Sequence, residues 1–332
     1  MYTITLIPGD GIGPEVVKAT QKIIEAAGVP IQWDVQEAGL EVYQKEGNPL
    51  PPRVLNSIKN NKVALKGPTT TPIGEGFRSI NVMIRQELDL FANVRPIKNY
   101  PGIPSKYQDI DMIIIRENTE DLYAGIEHMV GEDAAESIKI FTRRGCQRII
   151  RHAFEFARKA NRKKVTCVHK ANIMKCTDGM FLMIARDISK EYKEIEFEDM
   201  IVDTMCMKLV QYPENYDVLV LPNLYGDIIS DLCAGLIGGL GVAPGANFGN
   251  EMAVFEAVHG SAPDIAGLNI ANPTAIILSG VHMLNHIGEV NAASCIEKAL
   301  SKVLQEGKFL TQDIGGKART TDFINHIISL LS

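Results

Sequence analysis

Two aspartates stand four positions apart in Asn223-Leu224-Tyr225-Gly226-Asp227-Ile228-Ile229-Ser230-Asp231, directly after an apolar run. On a helix that spacing projects both carboxylates from one face. Like charges so placed repel unless something positive lies between them. A solvated face with Asp227 as a helix cap is the plainer reading. The neighbours Ile228, Ile229, Leu232, Cys233 and Ala234 speak against it, because they are not a surface sequence. Two hard oxygen donors suit Mg²⁺ or Mn²⁺, which take one or two carboxylates and leave other positions to substrate and water. Asp203, in Val202-Asp203-Thr204-Met205, is a candidate third ligand, and by itself equally a helix cap.

Arginines lie in apolar company nearby in the chain. Arg85 follows Val82-Met83-Ile84, Arg95 follows Phe91-Ala92-Asn93-Val94, and Arg116 ends the apolar run 112–115. A lone arginine is usually a surface residue with a packed stem. Three beside apolar strands or helix faces would be costly to bury without anions, which a polycarboxylate substrate supplies through bidentate pairing. Lys170, in Val168-His169-Lys170-Ala171-Asn172, closes another apolar run. It is either a solvated loop lysine or a desolvated one able to act as a base.

A glycine-rich turn, Gly9-Asp10-Gly11-Ile12-Gly13-Pro14, imitates a dinucleotide fingerprint but fails its spacing. Counting G-x-G-x-x-G from Gly9 requires glycine where Pro14 stands; counting from Gly11 requires it where Val16 stands. No G-x-x-x-x-G-K-S/T pattern occurs either. A tight strand-to-helix turn with Pro14 near the first helical position accounts for the residues equally well. A dinucleotide, if bound, is held by another device.

The elements that must carry these residues alternate along the chain. Residues 4–7, 112–115, 164–168 and 218–221 are apolar and largely β-branched, as strands buried on both faces are. Residues 14–27 read as a helix with Val16, Val17, Ile23 and Ile24 on one face and Gly28 as its stop. Residues 145–160 and 178–193 read as further helices. Such alternation means an α/β fold with a sheet that is at least partly parallel. The length, 332 residues, implies about two domains. No repeat or Gly/Ser/Pro linker separates them, so they are expected to be interwoven, with a site at their junction.

Composition narrows the class. At 45% hydrophobic and 22% charged, the chain is neither disordered nor fibrous. The formal net charge of −6 argues against a nucleic-acid or acidic-membrane partner. Six scattered cysteines without a CxxC pair read as reduced, mostly buried thiols rather than disulfides or a zinc site. The stretches 232–250 and 265–288 lack Asp, Glu, Lys and Arg, yet glycine, proline, asparagine and histidine interrupt both. Neither is an uninterrupted apolar run fit to cross a bilayer. The first residues show no basic or Arg/Ser-rich targeting character, so a cytoplasmic location is expected.

Taken in order, IPGDGIGPE (7–15), SINVMIRQELDLFANVRP (79–96), RENTEDLYAGIEH (116–128), VHKANIMK (168–175), NLYGDIISDLCAGLIGGLG (223–241) and FEAVHGSAPDIAGLNIANPTA (255–275) resemble one family. It is the metal-dependent decarboxylating dehydrogenases of isocitrate, homoisocitrate and 3-isopropylmalate, and the NAD-dependent isocitrate enzymes are the nearest type. The resemblance spans essentially the whole chain. It implies a two-domain α/β fold that is not Rossmann, with residues 1–97 and 239–332 forming a large discontinuous cofactor-binding domain. Residues 98–238 would form a small domain with the dimer interface. It also implies a homodimer or higher homo-oligomer whose active sites draw on both subunits.

By the same resemblance Asp227 and Asp231 bind Mg²⁺ or Mn²⁺ together with the partner chain's counterpart of Asp203. Arg85, Arg95 and Arg116 hold substrate carboxylates. The partner chain's counterpart of Lys170 is the base, with Asn172 near it, and Tyr123 assists protonation after carbon dioxide leaves. NAD would lie along Thr71 and the loop of His259, Gly260, Asp264, Ile265 and Asn272.

Two positions bear on specificity. Ser79 and Asn81 match the polar pair that isocitrate enzymes turn toward the third carboxylate, although Ser79 could merely cap the helix that follows. Asn81 stands where an isopropylmalate enzyme would show leucine, which favours isocitrate over homoisocitrate and 3-isopropylmalate. By the resemblance, NADP-using isocitrate enzymes carry a Lys-Tyr pair where Asp264 and Ile265 stand; a carboxylate suits the ribose hydroxyls of NAD and repels a 2′-phosphate, although Asp264 could instead simply end the turn after Pro263. A non-catalytic regulatory subunit is the reading from another class. Such a chain can lose its metal aspartates, lysine or tyrosine, and Asp203, Asp227, Asp231, Lys170 and Tyr123 all match here.

Overall fold

The computed structural model describes residues 1–72 and 76–331. Its strands are β1 (Tyr2–Ile7), β2 (Ile31–Val35), β3 (Val63–Lys66), β4 (Ala92–Lys98), β5 (Asp111–Glu117), β6 (Glu127–Val130), β7 (Ala134–Ser137), β8 (Lys164–His169), β9 (Glu196–Ile201), β10 (Val218–Leu221), β11 (Pro244–Phe248) and β12 (Ala253–Ala257). Its α-helices are α1 (Gly13–Ala26), α2 (Leu40–Glu46), α3 (Pro52–Asn61), α4 (Ile80–Glu87), α5 (Arg143–Lys159), α6 (Thr177–Ser189), α7 (Val202–Gln211), α8 (Asn223–Leu236), α9 (Thr274–His286), α10 (Val290–Glu306) and α11 (Thr320–Ser329).

Two compact units divide the chain. Unit 1 comprises Met1–Leu88, Asn99–Lys106 and Ile237 onward; unit 2 comprises Asp89–Lys98 and Tyr107–Leu236. The division departs from the expected boundary at 97 in two places: Asn99–Lys106, expected in the small domain, belongs to unit 1, and residues 89–97, expected in the large one, belong to unit 2. Strand β4 pairs antiparallel with β5 along its whole length, so it belongs to unit 2.

Within unit 1 the strands lie in the order β2-β1-β3-β12-β11. The β1 pairings with β2 and β3 and the β3–β12 pairing are parallel, and β11–β12 is antiparallel. Helix α1 buries Val16, Val17, Ile23 and Ile24 and has Pro14 in its first turn. Gly28, at φ +79°, takes the left-handed conformation that ends it. Helix α9 is buried on nearly every face, which explains residues 271–284 of the charge-free stretch as core.

Within unit 2 the order is β4-β5-β10-β8-β9, with β5–β10, β10–β8 and β8–β9 parallel. All four residues of β10 are buried, as its unbroken Val-Leu-Val-Leu run demands. Helix α5 is capped at its N-terminus by Thr142, whose hydroxyl accepts the Gly145 N–H at 2.9 Å. Helix α6 stops at Ser189, four residues short of the expected end. There the chain turns to stack the buried Tyr192 on Phe154, ring centroids 4.9 Å apart. Strands β6 and β7 pair only with each other, and every residue in them is exposed.

All six cysteines are free: Cys146, Cys167 and Cys233 are buried, Cys206 and Cys295 partly so, and Cys176 is exposed. Among the described residues no helix is long and apolar enough to cross a membrane.

Candidate active site

Unit 2 gathers a charged cluster where β4 and β5 meet α8. Arg95 stands on β4, and Arg116 is the penultimate residue of β5. Both are nearly sealed from solvent, at 5% and 1% exposure. Helix α8 starts one residue after β10, at Asn223, and presents Asp227 and Asp231 one turn apart. The side chain of Arg116 lies flat against this helix because residue 226 is glycine. A Cβ there would stand 2.5 Å from the Arg116 Cγ. Asn223 Oδ1 accepts Arg116 Nε at 3.0 Å and Nη2 at 2.8 Å, which fixes the plane of the guanidinium. Asp121 Oδ2 accepts the Leu224 N–H at 2.9 Å and anchors the first turn of the helix.

Asp227 is the hub. Its Oδ1 makes a close ion pair with Arg116 Nη1, and Arg95 Nη2 stands 3.6 Å from the same oxygen. Its Oδ2 accepts the hydroxyl of Tyr123 at 2.5 Å. Arg95 Nη1 reaches Asp231 Oδ1 at 3.5 Å and donates to Ser230 Oγ at 2.5 Å, while Arg95 Nε donates to Asn93 Oδ1 at 2.7 Å. Burial raises the pKa of Asp231; Arg95 lowers it, the like charge of Asp227 raises it, and the balance stays upward. Burial also raises the Tyr123 hydroxyl, against the Arg116 charge, so the phenol stays protonated and donates.

This donor set fits a divalent cation. Two hard carboxylates stand one helical turn apart, and the Asp231 side chain remains 56% exposed to receive an ion. A positive ion would relieve the like-charge effect that raises Asp231.

Lys170 and Asp203 are brought together, but with each other. The Lys170 ammonium makes a close ion pair with Asp203, and that hydrogen bond holds the Asp203 carboxyl below its ordinary range. Among the described residues no group of three or more His, Cys, Asp or Glu side chains converges as a metal cage. Asp203 therefore does not join Asp227 and Asp231 within one chain. Asn172 is exposed in the turn that follows Lys170.

The sequence offered no signal for several supporting residues. Lys139 donates to Asp178 at 2.9 Å and to the Tyr225 hydroxyl at 3.2 Å, and Asp178 Oδ1 accepts the Lys170 N–H at 2.8 Å. These side chains are single charges in unremarkable local sequence. Asn223 and Ser230 sit inside the conspicuous aspartate motif, but only their contacts with Arg116 and Arg95 mark them as supports.

The remaining expected residues lie in unit 1. Ser79 is the N-terminal cap position of α4, yet its hydroxyl makes no capping bond. Asn81 Oδ1 accepts the Thr69 hydroxyl at 3.2 Å. Arg85 Nη2 donates to Glu256 Oε1 at 3.0 Å, while its Nε is buried without a partner. Glu256 also accepts Lys66 Nζ at 2.9 Å and Asn247 Nδ2 at 2.8 Å. Burial works to raise the Glu256 pKa, but the charges of Lys66 and Arg85 outweigh it and hold the carboxyl well below its usual range.

Unit 1 also holds a cavity of about 610 Å³ lined by Ile12, His259, Gly260, Ile265, Asn272 and Asp313 among others. Ile12 and Ile265 give apolar walls for a flat ring. The His259 Nε2 is buried without a hydrogen-bond partner, an orphan that a ligand can satisfy. Burial also lowers the His259 pKa, so the ring is neutral. The Asn272 amide is already occupied, donating to Asp313 at 2.9 Å and accepting the Thr274 N–H at 3.0 Å. Asp264 and Thr71 are exposed, and Asp264 shares a single 3-10 turn, Pro263–Ile265, with Ile265. The cavity fits a dinucleotide's aromatic and polar parts without a glycine fingerprint.

Residues 3–327 match the isocitrate/isopropylmalate dehydrogenase family. The chain is 51% identical over 324 residues to the Arabidopsis thaliana protein named mitochondrial NAD isocitrate dehydrogenase catalytic subunit 6, covering 97% of this chain and 87% of that one. It is 50% identical over 330 residues to the Homo sapiens protein named mitochondrial NAD isocitrate dehydrogenase subunit alpha, covering 98% and 90% respectively. A crystal structure of isocitrate dehydrogenase from Methylococcus capsulatus superposes with a TM-score of 0.97 at 54% identity, over 100% of this chain and 99% of that one.

Proposed function

The chain belongs to the isocitrate/isopropylmalate dehydrogenase family, and from that membership we propose that it oxidises isocitrate with NAD, releasing carbon dioxide and leaving 2-oxoglutarate. The observation that carries the reading is the carboxylate pair Asp227 and Asp231 ringed by Arg95, Arg116 and Tyr123.

In this reading Arg95 and Arg116 bind substrate carboxylates, each already oriented by an amide, Asn93 or Asn223. Arg85 adds a third cation and Ser79 and Asn81 receive the third carboxylate. The Ser79 hydroxyl, unused as a cap, suits that task. Lys170 takes the proton of the substrate hydroxyl, and Tyr123 returns a proton to carbon after carbon dioxide leaves. When bound, NAD accepts the hydride and Mg²⁺ or Mn²⁺ stabilises the negative oxygen that develops on decarboxylation. Asp227 and Asp231 would hold that ion, Asp203 would complete its ligands from a second subunit, and Asn172 would stand near Lys170.

A homodimer follows as part of the proposal. Ile173, three residues after Lys170, is 68% exposed; Met207, one turn after Asp203, is 49% exposed; Ile228, beside Asp227, is 56% exposed. Large apolar side chains so exposed suit a protein partner. The small domain of residues 98–238 would supply that interface and the large one would bind NAD. Six free cysteines fit a reducing compartment, and we place the protein in the cytoplasm; the plant and human relatives are named as mitochondrial.

The choice of cofactor gives the test. Thr71, His259, Gly260, Asp264, Ile265 and Asn272 would contact NAD, with Asp264 meeting the adenosine ribose hydroxyls. With isocitrate and Mg²⁺ the wild-type chain should reduce NAD in strong preference to NADP. Asp264→Lys combined with Ile265→Tyr should weaken NAD use and raise NADP use. Comparable wild-type rates with both cofactors, or an unmoved preference in the double variant, would refute the assignment.

A further inference from the structure

We propose that Asp10 is a positioning residue for the cofactor site: through it the 9–13 turn clamps loop 67–71 against loop 259–265, which walls the unit 1 cavity. The inference rests on reading that cavity as the NAD site.

The glycines of this turn have the wrong spacing for a phosphate cradle, and the structure shows what they permit instead. Gly9 and Gly11 adopt φ of +78° and +58°. A Cβ on Gly9 would lie 2.0 Å from the Pro68 carbonyl oxygen, and one on Gly11 would lie 2.0 Å from that of Ser261. The turn is therefore pressed between the two loops with no room for side chains.

Hydrogen bonds lock it there. The Asp10 N–H donates to the Pro68 carbonyl at 2.8 Å and the Ile12 N–H to the Ser261 carbonyl at 2.9 Å. The carboxylate of Asp10, only 6% exposed, accepts the Thr70 N–H at 2.8 Å on Oδ2 and the Leu40 N–H at 2.9 Å on Oδ1. The loops meet directly through the Thr70 and Ser261 hydroxyls, 2.7 Å apart.

The consequence falls on the cavity. Ser261 is buried, and its neighbours Gly260 and Ala262 both line the cavity, as does Ile12 from the turn itself. Thr70 adjoins Thr71. A shift at Asp10 moves Ile12 and, through the Thr70–Ser261 contact, the 260–262 wall, so Asp10 acts on the cofactor without touching it. A carboxylate is needed because both oxygens must accept; an asparagine keeps the shape but turns one acceptor into a donor facing a backbone N–H.

The test is a titration of the purified chain with NADH, read by nicotinamide fluorescence, beside thermal melting and the KM for isocitrate. Asp10→Asn should weaken NADH binding about 10-fold, since a buried donor loses its partner, and move the isocitrate KM by less than about two-fold. Ser261→Ala, which removes only the bond to Thr70, should weaken NADH about three-fold and supplies the answer should Asp10→Asn not fold. A purely structural Asp10 would lower the melting temperature and leave the NADH affinity of the folded protein where it was. Wild-type binding of NADH with neither folded variant weakened would overturn the clamp and leave the cofactor reading standing. Failure of the wild-type chain to bind NADH would overturn both.

Discussion

Asp231→Asn is expected to reduce isocitrate-dependent NAD reduction by about 100-fold or more, with the fold intact. The substitution keeps the shape of the side chain and removes its charge. Asp231 is half exposed at the end of the cluster, contacts Arg95 at 3.5 Å and supports no other element, so little stability depends on it. Its carboxyl already has a raised pKa from burial and the like charge of Asp227, and the wild-type chain tolerates that. Removing the charge should leave melting unchanged or slightly raised. The lost activity would then report on the ion and the oxygen it stabilises. Adding Mn²⁺ in large excess should recover part of the rate by mass action if the defect is ion affinity. Metal-dependent turnover within about two-fold of wild type would show that Asp231 is not a ligand, because transition-state electrostatic losses are far larger.

Lys170→Met and Asp227→Asn should each be inactive alone and recover activity when mixed under conditions that exchange subunits. Within one chain the Lys170 ammonium bonds Asp203, whereas Asp227 bonds Arg116 and Tyr123. If each site takes Lys170 and Asp203 from one subunit and Asp227 and Asp231 from the other, a heterodimer holds one intact site and one doubly defective site. An equal mixture exchanging at random should approach about a quarter of wild-type activity, as two-fold symmetry dictates. No recovery after exchange verified by mass spectrometry would confine each site to a single chain.

The legibility of this molecule in its sequence was uneven for identifiable physical reasons. Helical periodicity is local, so the Asp227 and Asp231 spacing could be read directly, as could the buried run of β10 and the apolar face of α1. Arg95 and Arg116 were conspicuous because charge in apolar sequence needs explaining. Their convergence on Asp227 depends on the β4-β5-β10 strand order, which no local pattern states. The helix read as 178–193 ends at Ser189 because Tyr192 gains a stacking partner, Phe154, that is distant in sequence. Lys139, Lys66 and Glu256 escape notice because the shortest ion pair of each joins distant segments: Lys139 with Asp178, 39 positions away, and Lys66 with Glu256, 190 positions away. A turn at 9–13 followed by Pro14 is legible locally, but its partners at 68, 70 and 261 come only with the fold.

One set of initial rates decides the activity most directly: purified protein and Mg²⁺ with isocitrate, homoisocitrate and 3-isopropylmalate, each with NAD and with NADP. The site described here predicts that isocitrate with NAD has the highest kcat/KM and yields NADH and 2-oxoglutarate in equal amounts. It should exceed 3-isopropylmalate by about 100-fold or more, because Ser79 and Asn81 would be left without the carboxylate they meet. Equal or better turnover of 3-isopropylmalate, or no turnover with any pairing, would contradict it.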